Sequence, residues 1–256
     1  MVPFAREFLS PRKNPMKLSV LTPVYNEQAT LQKVLDRLFA IEWPEGVEVE
    51  YVLVNDGSKD RTQEILDAVT DPRAVVFHQP FNQGKGAAIR KAAELATGEY
   101  MIIADADEEY RPEEIPSLLQ PVLDGETNLV YGTRAFSSHT SFSYWYVIGN
   151  KGVNTFTNLL FNSYVSDVET CFKLMPLDLY RSLDIKEKGF GMEAEVTAKL
   201  LARGYRPYEV PIWYKARSRE EGKKITAKDG FEALWILTKL RVKEGSRRRP
   251  PEAITA

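Results

Sequence analysis

The first half of the chain alternates short apolar runs with amphipathic segments, and this alternation restricts the fold more than any other feature. The apolar runs predict strands, and the segments between them predict helices. Strands are expected at Leu18–Thr22, Val49–Val54, Ala74–Phe77, Tyr100–Ala104 and Leu129–Tyr131, and helices at Ala29–Ala40, Thr62–Val69, Gly86–Leu95 and Glu113–Leu123. Repeated strand–helix–strand units predict an α/β fold with a mainly parallel sheet flanked by helices. In such folds ligands bind beyond the carboxyl ends of the strands.

The pattern changes after about residue 135. An aromatic-rich helical stretch is followed by predicted strands at Cys171–Met175 and near Tyr208–Ile212, with a helix at Met192–Ala202 between them and a last helix at about Ala227–Arg241. No internal repeat and no long linker separates the two halves. We therefore expect a single domain with a helical elaboration towards its C-terminal end.

Composition excludes several classes of protein. The 256 residues carry a net charge of −2, which argues against a chain that binds nucleic acid. With one cysteine, Cys171, and two histidines, neither an internal disulfide nor a Cys/His zinc site is expected. No run of about 20 apolar residues occurs, and residues 1–14 do not read as a secretory signal. We expect a cytoplasmic protein that does not span a membrane, and its oligomeric state stays open.

The strongest chemical signal is a cluster of carboxylates directly after the apolar run Tyr100–Ala104. Asp105, Asp107 and Glu109 alternate along the chain, so their side chains can converge on one side. Like charges this close repel one another unless water or a cation compensates them. Oxygen ligands without histidine or cysteine favour Mg²⁺ or Mn²⁺, which carboxylates often hold jointly with substrate phosphates. A solvated acidic helix start is the alternative interpretation.

Polar residues also follow the first two strands and open the third helix. Glu27 and Asp56 come after neighbouring strands, where carboxylates can accept hydrogens from a base or from ribose hydroxyls. Lys85 lies between Gly84 and Gly86 at a helix start, where backbone N–H groups and a cation can face a diphosphate. Neither the Walker nor the dinucleotide glycine pattern is present. The simpler interpretations are a common Asp-Gly turn at Asp56 and an ordinary helix start at Lys85.

These segments together resemble the family-2 glycosyltransferases of the GT-A fold, specifically the dolichyl- and polyprenyl-phosphate sugar synthase group. The resemblance covers about Lys17 to Leu240 and keeps the family's order. Six segments carry it: Pro23–Glu27 (PVYNE), Asn55–Ser58 (NDGS), Asn82–Gly86 (NQGKG), Asp105–Asp107 (DAD), Gly132–Arg134 (GTR) and Asp167–Lys173 (DVETCFK). The ordered set, rather than any single segment, is specific.

The resemblance implies roles for particular residues. Pro23, Tyr25, Glu27 and Asp56 are implied to contact the nucleoside, Lys85 to lie near it or the diphosphate, and Asp105, Asp107 and Glu109 to hold Mg²⁺ or Mn²⁺. Arg134 is implied to meet phosphate, and transfer is implied to invert the anomeric carbon. Many relatives carry glutamine where Glu109 stands, which leaves its part as a ligand open.

The implied activity is transfer of a hexose from a nucleotide-diphosphate sugar, GDP-mannose or UDP-glucose, to a polyprenyl phosphate. A phosphate acceptor needs positioning, because its second pKa of about 6 makes it largely dianionic at neutral pH. A hydroxyl acceptor needs a general base, for which Asp167 or Glu169 is the candidate. Bracing of the acceptor loop is the structural alternative for Asp167. Two other functions stay open: transfer to a saccharide or protein hydroxyl, and a non-catalytic nucleotide-sugar binding module.

Under this interpretation the chain divides into four parts. Residues 1–15 form an N-terminal extension, and residues 16–225 form the GT-A catalytic domain. Within that domain, the donor half covers about 16–135 and the acceptor half about 136–225. Residues 226–243 form an amphipathic helix, and residues 244–256 form a disordered basic tail. Within 16–225, the charged interval 217–224 is predicted to be a lid that closes over phosphate. Its cations are Arg217, Arg219, Lys223 and Lys224. A permanently solvated loop is the alternative.

Two aromatic segments and nearby cations indicate contact with an anionic membrane surface. The residues concerned are Phe142, Tyr144, Trp145, Tyr146, Phe231, Leu234, Trp235, Leu237, Lys239 and Arg241. Aromatic, basic amphipathic segments can lie in a membrane interface without crossing it. Packing in the core or in a dimer interface is the alternative. The expected location is peripheral, at the inner face of the membrane.

Overall fold

The structure, a computed structural model, describes residues 15–135, 139–140, 144–217 and 227–244 and is organised around a seven-stranded sheet. The strands are β1 (Met16–Val24), β2 (Val47–Asn55), β3 (Ala74–His78), β4 (Tyr100–Ile103), β5 (Val130–Thr133), β6 (His139–Thr140), β7 (Lys173–Pro176), β8 (Tyr208–Pro211) and β9 (Tyr214–Lys215). The helices are α1 (Leu31–Phe39), α2 (Thr62–Asp67), α3 (Lys85–Leu95), α4 (Ile115–Leu123), α5 (Tyr144–Phe161), α6 (Leu177–Ser182), α7 (Met192–Ala202) and α8 (Ala227–Glu244). A 3₁₀ turn at Pro112–Glu114 leads into α4.

The main sheet has the strand order β3-β2-β1-β4-β7-β5-β8. β1 runs parallel to β2 and β4, β2 runs parallel to β3, and β5 runs parallel to β8. The central strands are almost wholly buried, as expected for parallel strands covered on both faces. The mainly parallel α/β fold predicted from the sequence is therefore confirmed.

One strand departs from the parallel arrangement. β7 runs antiparallel to both of its neighbours, β4 and β5. The chain leaves the carboxyl end of β5, passes through α5, and re-enters the sheet from that same edge. Residues 167–172, which directly precede β7, therefore lie at the edge where β1, β2, β4 and β5 end. This reversal brings a segment from the second half of the chain to the predicted ligand edge.

The C-terminal helices pack together beside the sheet. α8 contacts α7 and α5, and it buries Ala233, Ile236, Leu237 and Leu240. The side chain of Ile236 comes so close to Gly191 that a Cβ at that glycine would overlap it. The predicted helix in this region is confirmed. The division at residue 226 stays a proposal, because α8 contributes side chains to the same core as α7.

At the opposite edge of the sheet, the buried carboxylate of Glu50 joins β2 to β1 and to the segment before β4. It accepts hydrogen bonds from Ser19 Oγ at 2.6 Å, Thr97 Oγ1 at 2.7 Å and Gly98 N at 3.1 Å, and pairs with Lys17 Nζ at 2.8 Å. Burial alone would raise the pKa of Glu50, but these donors lower it to about 2. The folded protein therefore stabilises the ionised form of Glu50.

We expect Glu50→Gln to reduce the free energy of unfolding by about 2–3 kcal/mol at neutral pH, because a charged acceptor with several donors is lost. The folded-state pKa lies below the ordinary value, so the contribution of Glu50 is present above that value and disappears as the pH falls through about 2. Urea unfolding at neutral pH and near pH 3 measures both effects, and the difference from wild type should shrink in acid. Glu48→Gln, at an exposed position of the same strand, is the control. Equal losses in the two variants would contradict the assignment.

Candidate functional site

A cleft of about 400 Å³ opens beyond the carboxyl ends of the central strands. Its walls carry a large excess of negative charge. The carboxylates are Glu27, Asp56, Asp105, Asp107, Glu109, Glu169, Glu193 and Asp229, and the cations among the described residues are Lys85, Arg134 and Arg217. In the described part of the chain, eight carboxylates thus face three cations. The cleft is suited to cations and to ligands that arrive with them.

The residues predicted to contact a nucleoside lie together on one wall. Pro23, Tyr25, Glu27 and Asp56 all line the cleft, at the ends of β1 and β2. Asp56 is almost fully buried, and its two carboxylate oxygens accept backbone N–H groups of Gln83 at 2.7 Å and Gly84 at 2.8 Å. Burial raises the pKa of Asp56. This carboxylate therefore shapes the loop that leads into α3, and its contact with a nucleoside stays a prediction.

Lys85 lies at the first position of α3 and points into the cleft. Its ammonium group is 2.8 Å from Asp105 Oδ2 and 2.8 Å from Glu193 Oε1, with the side chain 15% exposed. Burial would lower the pKa of Lys85, but these two carboxylates raise it well above its ordinary value. The helix start lies directly against the Lys188 carbonyl oxygen. This contact requires glycine at position 84, because Gly84 has φ +96° and a Cβ there would overlap that oxygen. Lys85 is thus a fixed cation that joins α3, the end of β4 and α7.

Asp107 lies close to two other carboxylates of the cleft. Burial, together with the nearby carboxylates of Asp105 and Glu109, raises the pKa of Asp107 to about 7. Both oxygens of Glu109 already accept hydrogen bonds, from Tyr214 Oη at 2.9 Å and from Arg217 N at 3.0 Å. The described residues contain no group of three or more His, Cys, Asp or Glu side chains placed to hold a metal ion. The three-carboxylate metal site therefore stays a prediction.

Of the four cations predicted to form a lid, the structure describes Arg217. Arg217 lies against the carboxylates of the cleft, with a terminal nitrogen 2.9 Å from Asp107 Oδ2. The predicted phosphate ligands Arg219, Lys223 and Lys224 lie outside the described residues. In this structure Arg217 is thus an ion-pair partner of carboxylates.

Arg134 and Asp167 form a buried, two-pronged ion pair. The Nε and a terminal nitrogen of Arg134 lie 2.6 Å and 2.7 Å from the two oxygens of Asp167, and the guanidinium stacks 4.8 Å from the centre of the Tyr214 ring. Burial would raise the pKa of Asp167, but Arg134 lowers it below its ordinary value. Arg134 lines the cleft, whereas Asp167 lies behind it. This geometry favours the bracing role of Asp167 over its role as a general base.

The turn between Asp167 and β7 is held by a second buried cation. Lys173 is fully buried and donates to the carbonyl oxygens of Val168, at 2.9 Å, and Thr170. Burial lowers the pKa of Lys173 to about 8. The turn exposes Glu169 to the cleft, and burial raises the pKa of that carboxyl group. Of the two acidic residues considered as a base, Glu169 is the one that faces the cleft.

Sequence reasoning missed two carboxylates of the cleft, Glu193 and Asp229. Glu193 lies in the first turn of α7, a helix in which every residue from Met192 to Leu201 is buried. A carboxylate in a helix buried on all sides needs a partner, but the burial of this helix is visible only in the structure. Asp229 lies in the first turn of α8. Its place in the cleft depends on how α8 docks, which no local pattern indicates.

The predicted membrane-facing residues divide into an exposed group and a core group. Tyr144, Trp145, Phe231 and Trp235 are exposed, each by more than 60%. Leu237 is fully buried, so its predicted membrane contact is wrong and the alternative of core packing applies to it, whereas Leu234 is partly buried against the core. These leucines occupy the side of α8 that faces α5 and α7, one quarter to one half turn away from Trp235. Phe142 lies outside the described residues, and the described helices include none long and apolar enough to cross a bilayer.

Comparison with known proteins identifies the family. The family model described as "Glycosyl transferase family 2" matches residues 19–183. One relative is the low-salt glycan biosynthesis hexosyltransferase Agl6 of Haloferax volcanii, 28% identical over 211 residues, which cover 79% of this chain and 49% of the relative. Another is the undecaprenyl-phosphate 4-deoxy-4-formamido-L-arabinose transferase of Pseudomonas aeruginosa, 37% identical over 133 residues, 50% of this chain and 38% of the relative. The chain spans about half the length of these relatives or less.

Solved structures support the fold. Glucosyl-3-phosphoglycerate synthase from Mycobacterium tuberculosis in complex with phosphoglyceric acid is similar with a TM-score of 0.67 and 20% identity, over 93% of this chain and 82% of that one. The same enzyme with Mn²⁺, uridine diphosphate and glucosyl-3-phosphoglycerate gives a TM-score of 0.64 and 18% identity over the same shares. At this identity the likeness shows the fold alone, and the expected GT-A architecture is confirmed.

We expect Lys85→Ala to lower the free energy of unfolding by about 3–5 kcal/mol, because it leaves the buried Glu193 and the partly buried Asp105 without their cation. The matched control is Lys91→Ala on the same helix, whose ion pair with Glu94 is at the surface and should contribute less than about 1 kcal/mol. Chemical denaturation of both variants at neutral pH makes the comparison. A loss no larger than that of the control would mean that Lys85 does not hold the cleft together.

Proposed function

The chain belongs to glycosyl transferase family 2, and on that premise we propose that it transfers a hexose from a nucleotide-diphosphate sugar to a polyprenyl phosphate at a membrane surface. One observation carries the proposal: the acidic cleft at the strand ends combines the nucleoside-side residues, the Asp105–Asp107 segment and Arg134, and it reaches α8 through Asp229. α8 also bears exposed aromatic residues. In this proposal, the donor-binding cleft therefore lies next to the surface that contacts the lipid.

The donor half of the proposal rests on the wall formed by Pro23, Tyr25, Glu27 and Asp56. Backbone and carboxylate groups there can read a base and a ribose, and GDP-mannose and UDP-glucose are the proposed donors. Agl6 is named a hexosyltransferase, which supports a hexose. The solved relatives include complexes with uridine diphosphate, which supports a nucleoside diphosphate in this fold.

Mg²⁺ or Mn²⁺ is the proposed cofactor, and the residues present fit it. The excess of carboxylates in the cleft and the raised pKa of Asp107 both mark a place where positive charge is lacking. Asp105 and Asp107 would hold the ion together with donor phosphates, since Mg²⁺ commonly uses one or two carboxylates plus phosphate oxygens. When bound, the ion neutralises charge on the departing nucleotide diphosphate. Glu109 would act mainly as the acceptor that anchors Tyr214 and Arg217.

A phosphate acceptor suits the cations on the far side of the cleft. Arg134 presents a guanidinium whose orientation is fixed by Asp167 and by the Tyr214 ring, so it can orient an incoming phosphate monoester. The acceptor needs no strong base, because a phosphate monoester is already largely dianionic at neutral pH. Asp167, with its lowered pKa and its bidentate partner, would keep Arg134 in place throughout. The Pseudomonas relative, named an undecaprenyl-phosphate transferase, supports this acceptor class.

Transfer to a saccharide or protein hydroxyl is the second candidate, and Glu169 is the observation that favours it. Its carboxyl group faces the cleft with a raised pKa, as a general base for a hydroxyl requires. A non-catalytic binding module is less well supported, because binding alone does not require the cations of both walls. Assays that offer a polyprenyl phosphate and a free saccharide to the same protein separate the two acceptor classes.

We propose peripheral attachment at the inner face of the membrane through the exposed aromatic residues of α5 and α8. Trp145 and Phe231 are the most exposed aromatic side chains of their helices. Lys239 and Lys243 lie on α8 as well, where cations contribute about 1 kcal/mol each near an anionic surface. In this proposal α8 and the basic residues 244–256 form the attachment region of the catalytic domain.

We expect Asp107→Asn to reduce transfer at least about a hundredfold with Mg²⁺ or Mn²⁺ present, because the ion loses a charged ligand worth several kcal/mol in the transition state. The fold should survive, since the substitution also removes a crowded buried charge. Asp124→Asn, at an exposed helix end, is the control. EDTA should silence the wild type. Full activity under chelation would instead assign charge stabilisation to Lys85 and Arg134.

We expect the double substitution Phe231→Ser and Trp235→Ser to weaken binding to vesicles containing anionic lipid by about tenfold or more, because each aromatic side chain buried in an interface contributes more than about 1 kcal/mol. Binding should also weaken with added salt. Sedimentation with vesicles measures both effects. Val75→Ser with Tyr208→Ser, exposed on the two edge strands, is the matched control. An unchanged affinity in the α8 variant would exclude this helix as the attachment surface.

A further inference from the structure

Hydrogen bonds connect the segment 214–217, which contains Arg217, to Glu109. Lys215 N donates to the Glu109 carbonyl oxygen at 2.9 Å, and Arg217 N donates to Glu109 Oε1 at 3.0 Å. The Tyr214 hydroxyl donates to the other carboxylate oxygen of Glu109 at 2.9 Å. Residues 214–217 are therefore held at the end of β4 whatever the Arg217 guanidinium itself binds.

The guanidinium of Arg217 lies among carboxylates from two strand ends. Its terminal nitrogens are 3.2 Å from Glu27 Oε2 and 2.9 Å from Asp107 Oδ2, and its Nε lies 3.6 Å from Glu109 Oε1. The side chain is 14% exposed, and the Nε is a buried donor without a hydrogen-bond partner. This cation therefore compensates three carboxylates while its own hydrogen bonding stays incomplete.

A divalent ion held by Asp107 would compete with this guanidinium for the carboxylate. A guanidinium 2.9 Å from Asp107 Oδ2 and a divalent ion bound to Asp107 would repel each other strongly, because both side chains are largely buried. The two cations therefore exclude one another at this carboxylate. The lysine at the neighbouring carboxylate, Lys85, has two carboxylate partners and lies on a helix, so it has less freedom to leave.

We propose that Arg217 is the resident counter-ion of the cation site, which a divalent ion displaces from Asp107 when it binds with the donor. The displaced guanidinium then turns to the phosphate oxygens that arrive with the ion, while the hydrogen bonds to Glu109 keep its backbone in place. The inference rests on the proposed function only in taking Asp107 as a ligand of the ion. It adds that the protein's own arginine competes with the metal.

This exchange makes metal and nucleotide binding cooperative. Without nucleotide, the ion must displace Arg217 from Asp107 while no phosphate is present to replace that partner. With a nucleoside diphosphate present, the guanidinium gains phosphate partners, so the ion binds more tightly. By linkage, the ion raises the affinity for the nucleotide by the same factor.

The test is a titration of the full chain with Mn²⁺ followed by electron paramagnetic resonance, first alone and then with saturating GDP or UDP. We expect Arg217→Ala to bind Mn²⁺ alone about tenfold more tightly than wild type, because the competitor is gone. The gain in Mn²⁺ affinity on adding nucleotide should be smaller in the variant than in wild type. Arg217→Lys, which keeps the charge but not the fork of donors, should lie between the two. Arg203→Ala, whose guanidinium binds Ser182 away from the cleft, should match wild type.

Equal or weaker Mn²⁺ binding by Arg217→Ala would overturn the inference, and so would an undiminished effect of nucleotide. Asp107→Asn separates this failure from failure of the proposed function. If Asp107→Asn loses Mn²⁺ while Arg217→Ala leaves its affinity unchanged, the metal site stands and the competing role of Arg217 is wrong. If Asp107→Asn binds Mn²⁺ as wild type does, the ion does not use Asp107 and the metal assignment itself fails.

Discussion

The imbalance of charge in the cleft is the constraint on which the rest of the site depends. Among the residues that the structure describes, eight carboxylates and three cations line this cleft. Each cation pairs with a carboxylate on another element: Lys85 joins α3 to α7, Arg134 joins β5 to the turn before β7, and Arg217 joins β9 to β1. The ion pairs that partly offset the negative charge therefore also connect the two halves of the domain.

The three cations are not equivalent. Arg134 is held by both oxygens of one buried carboxylate and by an aromatic ring, so it keeps one orientation. Lys85 bridges two carboxylates, and its ammonium group cannot move away without leaving both carboxylates without this partner. Arg217 has longer contacts and an unsatisfied Nε. Among the described cations of the cleft, Lys85 and Arg134 are thus held more firmly than Arg217.

The same arrangement separates structural from chemical carboxylates. Asp167, Glu50 and Glu195 are engaged by donors on both oxygens and stabilise loops or strand ends. Asp107 and Glu169 face the cleft, and their raised pKa values reflect burial without full compensation. In the first group, hydrogen-bond donors and cations of the protein compensate the buried charge. In the second group, the compensation is incomplete, and a bound ligand could supply the remaining positive charge.

The sequence by itself determined the parallel α/β fold, the family and most of the cleft. Period-2 and period-3.6 patterns are local, and the carboxyl ends of parallel strands meet at one edge. Glu27, Asp56 and Asp105 could therefore be placed together from the strand pattern, and the family resemblance added Arg134. Tertiary structure alone decided the rest. The antiparallel entry of β7 brings Glu169 to the cleft and puts Asp167 behind Arg134, and the docking of α7 and α8 adds Glu193 and Asp229. It also decided that Leu237 is core while Trp235 is exposed, and that Arg217 contacts carboxylates. These outcomes depend on contacts between residues far apart in the chain, whose pairing no local pattern encodes.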